Sequence, residues 1–458
     1  MKCKRVMIAA PKSGSGKTTI TCALLQALKN KGKQVVSYKC GPDYIDPMFH
    51  EKVIEIPAKN LDTFFTDEEQ TKALFLNNTT EEDFAVLEGV MGLFDGLGGV
   101  REEGSSYHLA KVTKTPIILV VDAKGMGRSV IPLIAGFLAY DKEHLIQGVI
   151  LNRMSKSYYE IIKPLIEEAL KVTVLGYFPE HKEWQIGSRH LGLMMPCELE
   201  NIKEQLHMVA EELVKTISLE TIMKIAESAG EIRNENKTLN NDKISAIDEL
   251  VIAIAKDEAF CFYYEDNLRM LEENGAKLTY FSPIHDNELP ARCHALLIGG
   301  GYPELHVKEL SANSRMRTAI RHAVESGMPV VAECGGFMYL HSAMIDKEGI
   351  SYPMAGVIPS TCSYTDRLVR FGYIELLEKQ SRFLPAGERI RGHEFHYFDS
   401  TDNGCDCLAI KPVTGRQYPC VIAGENYWLG FPHLYYPSNP VFARNFVEKA
   451  RKYMERMK

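Results

Sequence analysis

Residues 5–32 read RVMIAAPKSGSGKTTITCALLQALKNKG, and this stretch decides the fold. RVMIAA is an apolar run about as long as a buried strand, and TTITCALLQALKNKG reads as a helix closing on Lys and Gly. Between them, PKSGSGKTT at 11–19 supplies glycines that let backbone amides close around phosphate at the positive end of a new helix. In such a loop Lys17 would reach the terminal phosphates and Thr18 would offer its hydroxyl to Mg²⁺, with Gly14, Gly16 and Thr19 completing an ATP cradle. The strict GxxxxGK[ST] pattern has Gly where Pro11 stands, so this is a variant loop with an extra lysine, Lys12, five residues before the main one.

Outward from this loop, the runs QVVSYK, DFAVLE, PIILVVDA, QGVILNR and VLGYF alternate with helix-like segments. Their near-continuous apolar character predicts an α/β fold whose parallel sheet is covered by helices on both faces. From Ser228 the pattern lapses into SAGEIRNENKTLNNDK, which reads as an interdomain linker. The predicted division is a P-loop synthetase domain at 1–228, a linker at 229–247 and a second α/β domain at 248–458. That second series opens with ELVIAIAKD, runs through HALLIGGG and PVVAECGG, and ends in a β-rich, proline-containing tail.

Bulk properties agree with two globular domains: 458 residues, 45% hydrophobic and 25% charged. A formal net charge of -7 argues against nucleic acid as partner, whose phosphates require clustered Lys and Arg. No apolar stretch reaches the roughly 18–20 residues of a membrane span, and the apolar part of MKCKRVMIAAPKSG is short for a signal peptide. A cytoplasmic protein without membrane contact is expected. The eleven cysteines show no zinc or disulfide spacing.

Two acidic loops follow the second and third of these strands. KCGPDYIDPMFH at 39–50 carries Asp43 and Asp46, each beside a proline; EGVMGLFDG at 88–96 carries Glu88 and Asp95. Both loops would lie at the C-terminal edge of the sheet, where open α/β sheets bind ligands. Carboxylates facing a triphosphate make sense through a divalent cation, so Asp43, Asp46, Glu88 and Asp95 are candidates for Mg²⁺ or for handling an acceptor. Turn-forming aspartates are the plainer alternative. Phosphoryl transfer to a bound acceptor is the chemistry this pattern suggests.

The strings SGSGKTT, KCGPDYIDP, EGVMGLFDG, RHLGL at 189–193, GGGYPE at 299–304, ECGGFMYL at 333–340 and GHEFHY at 392–397 together resemble the cobyrinic acid a,c-diamide synthase family along nearly the whole chain. The resemblance implies a dethiobiotin synthetase-like ATPase domain joined to a class I glutamine amidotransferase domain. It implies ATP- and glutamine-dependent amidation of the a and c carboxylates of cobyrinic acid through acyl phosphates, in cobalamin biosynthesis. Relatives acting on nickel sirohydrochlorin or hydrogenobyrinic acid are similar enough to keep those substrates open. In this reading Mg²⁺ is held by Thr18, Asp43 and Glu88, and Asn152 matches the place where relatives recognise adenine, though it could equally be a turn residue. Arg189 and His190 are anion contacts for a polycarboxylate, or simply the start of a surface helix.

The same resemblance assigns Cys334 as nucleophile and His433, in GFPHLYYPSNP, as base. PVVAECGGFMYL supplies the strand, sharp turn and helix start that a nucleophile elbow needs, with Ala332 in place of the usual first glycine. Gly300, Gly301 and the amide of Gly335 would form the oxyanion hole. Amidotransferases of this class usually carry Glu two residues after the histidine; here Tyr435 stands there, the resembled family likewise lacks that Glu, and the group orienting His433 is left open. His393, Glu394 and His396 lack the further ligands of a metal site, and the resemblance implies a domain-interface or substrate-contact element there. A rival reading is a partition-type switch ATPase with a non-catalytic amidotransferase-like module. The oligomeric state, a homodimer included, is not fixed by the sequence.

Overall fold

The computed structural model describes residues 1–181, 201–233 and 250–457, and the backbone alone at 188–189 and 192–193. Two compact units result, Met1–Lys237 and Thr238–Lys458.

The first unit is built on seven parallel strands: β1 (Lys4–Ala9), β2 (Val35–Cys40), β3 (Ala58–Leu61), β4 (Phe84–Glu88), β5 (Ile117–Asp122), β6 (Ile146–Asn152) and β7 (Thr173–Phe178), in the order β3-β2-β4-β1-β5-β6-β7. Helix α1 (Lys17–Asn30) buries Ile20 through Leu28 without a break, because a second helix, Ile202–Thr216, packs over it. Strand order reverses at β1, and the crevice at such a switch point is where this architecture takes its ligand. The loop 11–16 leaves β1 there. Strand β3 has the sequence AKNL, which lacks an apolar run, and was not legible as a strand.

The predicted linker begins too early. Ala229 and Ile232 are buried, Ile232 N–H donates to the carbonyl of Met1 at 3.1 Å, and the Gly230 carbonyl takes a hydrogen bond from the wholly buried Arg5 guanidinium. Arg5 has carbonyl partners at Cys3, Thr113 and Lys114 as well, which satisfy a cation that burial would otherwise penalise. The segment 229–233 therefore belongs to the first unit, and 234–247 lies outside the described residues.

The second unit has a six-stranded sheet in the order Lys277–Phe281, Val251–Ala255, Ala295–Ile298, Val330–Glu333, Tyr427–Gly430, Ile422–Ala423, parallel apart from the last pair. A five-stranded antiparallel sheet stands beside it: Gln417–Cys420, Cys407–Ile410, Arg370–Glu378, Arg389–His396, His433–Leu434. Trp428, Phe442, Phe446 and Leu434 lie in one apolar core, and Phe337, Met338 and Leu296 in another. The chain ends not in strands but in a helix, Val441–Met457, burying Phe442, Phe446, Ala450 and Met454. Among the described residues no helix is long and apolar enough to cross a membrane.

Candidate active sites

The phosphate loop is shaped by left-handed backbone at Gly14 (φ +75°) and Gly16 (φ +91°), positions where an L side chain would be strained. Helix α1 starts at once, so Lys17, Thr18 and Thr19 occupy its first turn. Lys17 Nζ donates to the carbonyls of Met91 at 2.5 Å and Lys12 at 3.4 Å, and burial together with Lys39 pushes its pKa down to about 8. Asn152, expected near adenine, meets the loop: Nδ2 donates to the Ser15 carbonyl at 2.8 Å, and a Cβ on Gly16 would strike it.

Thr18 Oγ1 donates to Glu88 Oε1 at 2.6 Å. In the parallel ladder Lys39 of β2 is the register partner of Glu88 of β4, and their side chains meet at 2.9 Å. Lys39 also pairs with Asp46, which the short helix Ile45–Phe49 turns back over the strand ends. All three are buried. Burial alone would lower the Lys39 pKa, but Asp46 and Glu88 hold it well above its ordinary value; burial raises Glu88 and would raise Asp46, which Lys39 keeps low. His50, behind them, stays neutral at pH 7, burial having pushed it down to about 4, and bonds to Ser37 at 2.8 Å.

The other acidic candidates do different work. Asp43 Oδ1 accepts from Ile45 N–H at 2.8 Å, starting the helix that carries Asp46, and burial followed by Asp46 raises its pKa. Asp95 Oδ2 accepts from Gly92 N–H at 3.0 Å and closes its own loop, in which Met91 at φ +48° presents its carbonyl to Lys17. The Arg189 side chain and His190 lie outside the described residues. Lys39 was missed in the sequence; a lone cation inside the apolar run VVSYK, register-matched to a strand-terminal glutamate, is the signal that could have found it.

Mg²⁺ fits what is present. Glu88 Oε2 and Asp46 Oδ1 are buried without a hydrogen-bond partner, and with the Thr18 hydroxyl they offer the hard oxygen donors this ion prefers. Among the described residues no cluster of three or more His, Cys, Asp or Glu is arranged to hold a metal alone. One or two protein oxygens completed by phosphates and water is the usual Mg²⁺ arrangement.

In the second unit Cys334 stands one residue past the strand Val330–Glu333 and caps the helix Gly335–Leu340. Its φ of +48° and ψ of -102° are strained for an L residue, at a cost of roughly 1–3 kcal/mol. Three backbone bonds fix the elbow: Cys334 N–H to Gly430 O at 2.8 Å, Met338 N–H to Cys334 O at 2.9 Å, and Gly336 N–H to Gly299 O at 2.9 Å. The glycine loop is pressed against it, since a Cβ on Gly335 would come within 3.2 Å of the Gly301 nitrogen and 2.9 Å of Pro303 Cδ. His433 packs on the same glycine loop: a Cβ on Gly300 would run into its Cε1. Burial, then Glu304, raises the Cys334 thiol, and burial, then His396, pushes His433 down to about 3. Thiol and imidazole therefore rest neutral. Glu333, pushed up to about 8 by burial, accepts from the Leu434 amide and the Tyr436 hydroxyl and so bolts the His433 segment to the nucleophile strand.

His393, Glu394 and His396 are buried, at 8%, 2% and 5% exposure. Glu394 takes the Tyr418 hydroxyl, His396 stacks on Phe431 with centroids 3.9 Å apart, and His393 stacks on His433. Tyr435, where a triad glutamate would stand, donates its hydroxyl to Asp266 Oδ2 at 2.8 Å.

A phosphate loop on a parallel sheet, joined in one chain to a cysteine elbow between a glycine loop and a histidine, defines a two-domain glutamine amidotransferase with a nucleotide-binding half. Residues 6–193 match the CobQ/CobB/MinD/ParA nucleotide binding domain, and residues 251–421 the CobB/CobQ-like glutamine amidotransferase domain. The cobyrinate a,c-diamide synthase of Caldanaerobacter subterraneus subsp. tengcongensis is 40% identical over 437 residues, 94% of this chain and 95% of its own. Those of Listeria innocua serovar 6a (40%, covering 95% and 97%) and Thermoplasma volcanium (37%, covering 100% and 99%) are similar throughout. The chain belongs to the cobyrinate a,c-diamide synthase family.

Proposed function

We propose that this chain uses ATP and glutamine to convert the a and c carboxylates of cobyrinic acid to amides. The observation that carries the reading is the strained Cys334 elbow, pressed against the glycine loop on which His433 packs, in a chain that also carries a phosphate loop. A switch ATPase with an idle appendage has no use for such an elbow, and the full-length kinship supports an enzyme.

Glutamine cleavage is read as follows. The Cys334 sulfur bonds to the amide carbon while its proton passes to His433; the oxyanion rests on amides of the Gly300–Gly301 loop and Gly335; the C–N bond breaks and the proton leaves with ammonia. Water then hydrolyses the thioester to glutamate, freeing the thiol. Raised by burial, the thiol needs the neutral His433 next to it, because little thiolate exists at pH 7.

In the synthetase half the corrinoid carboxylate attacks the γ-phosphorus of ATP, ADP leaves, and ammonia displaces phosphate from the acyl phosphate. Lys17 balances charge on the transferring group. Thr18 and Glu88 would hold Mg²⁺, which neutralises phosphate charge when bound. Lys39 keeps Asp46 ionised and opposes the rise that burial imposes on Glu88, and Asp43 faces the acceptor. Asn152 stiffens the loop from below.

Gly300→Ala is expected to lower glutamine hydrolysis by about tenfold or more, since the added methyl occupies the place of His433 Cε1 and the packed site cannot yield freely. Glutamate release measures it, and ammonia-driven amidation should keep its rate. Substrate choice is tested by offering cobyrinic acid, hydrogenobyrinic acid and nickel sirohydrochlorin with ATP and glutamine and following product mass. Cobyrinic acid should be diamidated fastest; exclusive turnover of either other tetrapyrrole would reassign the substrate.

A further inference from the structure

A triad carboxylate holds its histidine in one plane and one tautomer. At His433 the residue in that sequence position, Tyr435, is engaged by Asp266. His393 is the direct partner of His433 in the antiparallel ladder, and the two rings lie face to face, centroids 4.8 Å apart and 12° from parallel. Gly300 also lies against the His433 ring, since a Cβ there would run into His433 Cε1.

The stacked face is itself buttressed. Tyr264 OH lies 3.3 Å from His393 Nδ1 and sets its ring edge-on to Tyr435 at 5.2 Å. Asp266, which receives the Tyr435 hydroxyl, is held by Arg269 at 2.8 Å. Asn267 clamps the strand itself, donating to Leu434 O at 2.8 Å and accepting from Tyr436 N–H at 2.8 Å. Every one of these groups comes from Tyr264 or the helix Glu265–Glu273 that follows it, so one short helix fixes both the strand and the ring beneath the base.

We infer that His393 is the positioning residue of the glutamine site: its flat face, braced by Tyr264, takes the orienting part that a glutamate at position 435 would have, by fixing the plane of the His433 ring toward Cys334. This rests on the reading of Cys334 and His433 as nucleophile and base. A carboxylate would orient the imidazole and also stabilise it once protonated; a neutral stacked ring supplies only the first. Burial keeps both histidines uncharged at rest. The imidazolium is therefore transient, and the proton taken from sulfur goes on to the departing ammonia.

The test is kinetic, on the full-length enzyme. His393→Ala should cut kcat for glutamine hydrolysis by about tenfold or more, with KM for glutamine within about twofold, because the base and not the binding surface is disturbed. Labelling of Cys334 by a diazo-ketone analogue of glutamine should slow in proportion, and ammonia-driven amidation should keep its rate. His393→Phe keeps a flat face and should recover at least about a third of wild-type kcat. Unchanged kcat in His393→Ala, or a folded His393→Phe as inactive as the alanine variant, would overturn the proposal; the phenylalanine variant carries the test if the alanine variant fails to fold. Cys334→Ser and His433→Ala run alongside: glutamine turnover by either at wild-type rate means that the underlying nucleophile and base reading has failed, whatever His393 does.

Discussion

Cys334→Ser is expected to abolish glutamine-dependent amidation, a loss on the order of 10⁴-fold or more, because removing the nucleophile of a covalent mechanism removes the whole unit it belongs to. Ammonia supplied as a salt should still be incorporated at close to the wild-type rate. The two outcomes separate because nucleophile and phosphate loop belong to different compact units, Thr238–Lys458 and Met1–Lys237. Serine is nearly isosteric, so the buried elbow, with its three backbone bonds, should survive the change. The hydroxyl is a far weaker nucleophile with only a neutral imidazole to deprotonate it. Rates with glutamine and with ammonium chloride, side by side, decide the matter; equal rates with glutamine in both proteins would remove Cys334 from the mechanism.

Lys17→Ala should have the complementary signature, losing amidation from both nitrogen sources by about 10²–10³-fold, the scale for removing one preorganised charge from a transition state. Glutamine hydrolysis should persist. Lys17 is 8% exposed and rests on the Met91 and Lys12 carbonyls, which hold it inside the loop where phosphates would take their place. Its pKa of about 8 leaves it cationic at neutral pH, so the charge is available when needed. Near-normal amidation in Lys17→Ala would contradict the role given to the phosphate loop.

Local patterns carried most of the fold. Six strands of the first sheet were legible because each is a continuous apolar run, and the elbow was legible because strand, cysteine and two glycines are adjacent in the chain. Strand β3 was not, since AKNL owes its conformation to pairing with β2 rather than to its own residues. The final helix should have been found: Phe442, Phe446, Ala450 and Met454 recur every four residues. Contacts distant in sequence were harder. Lys39 and Glu88 are 49 residues apart and meet only through strand register, and Asp266 and Tyr435 are 169 apart. The brace behind His433 likewise needs the fold, because no spacing rule joins residues 264–267 to residue 393.

Amide nitrogen from glutamine is expected to end on two carboxylates of one corrinoid at the expense of ATP. It is tested most directly by supplying glutamine labelled with heavy nitrogen in its side-chain amide, with ATP, Mg²⁺ and cobyrinic acid, and weighing the product. The expected product carries two heavy nitrogens, with glutamate and ADP formed alongside. ATP hydrolysis with intact glutamine and unmodified corrinoid would contradict it.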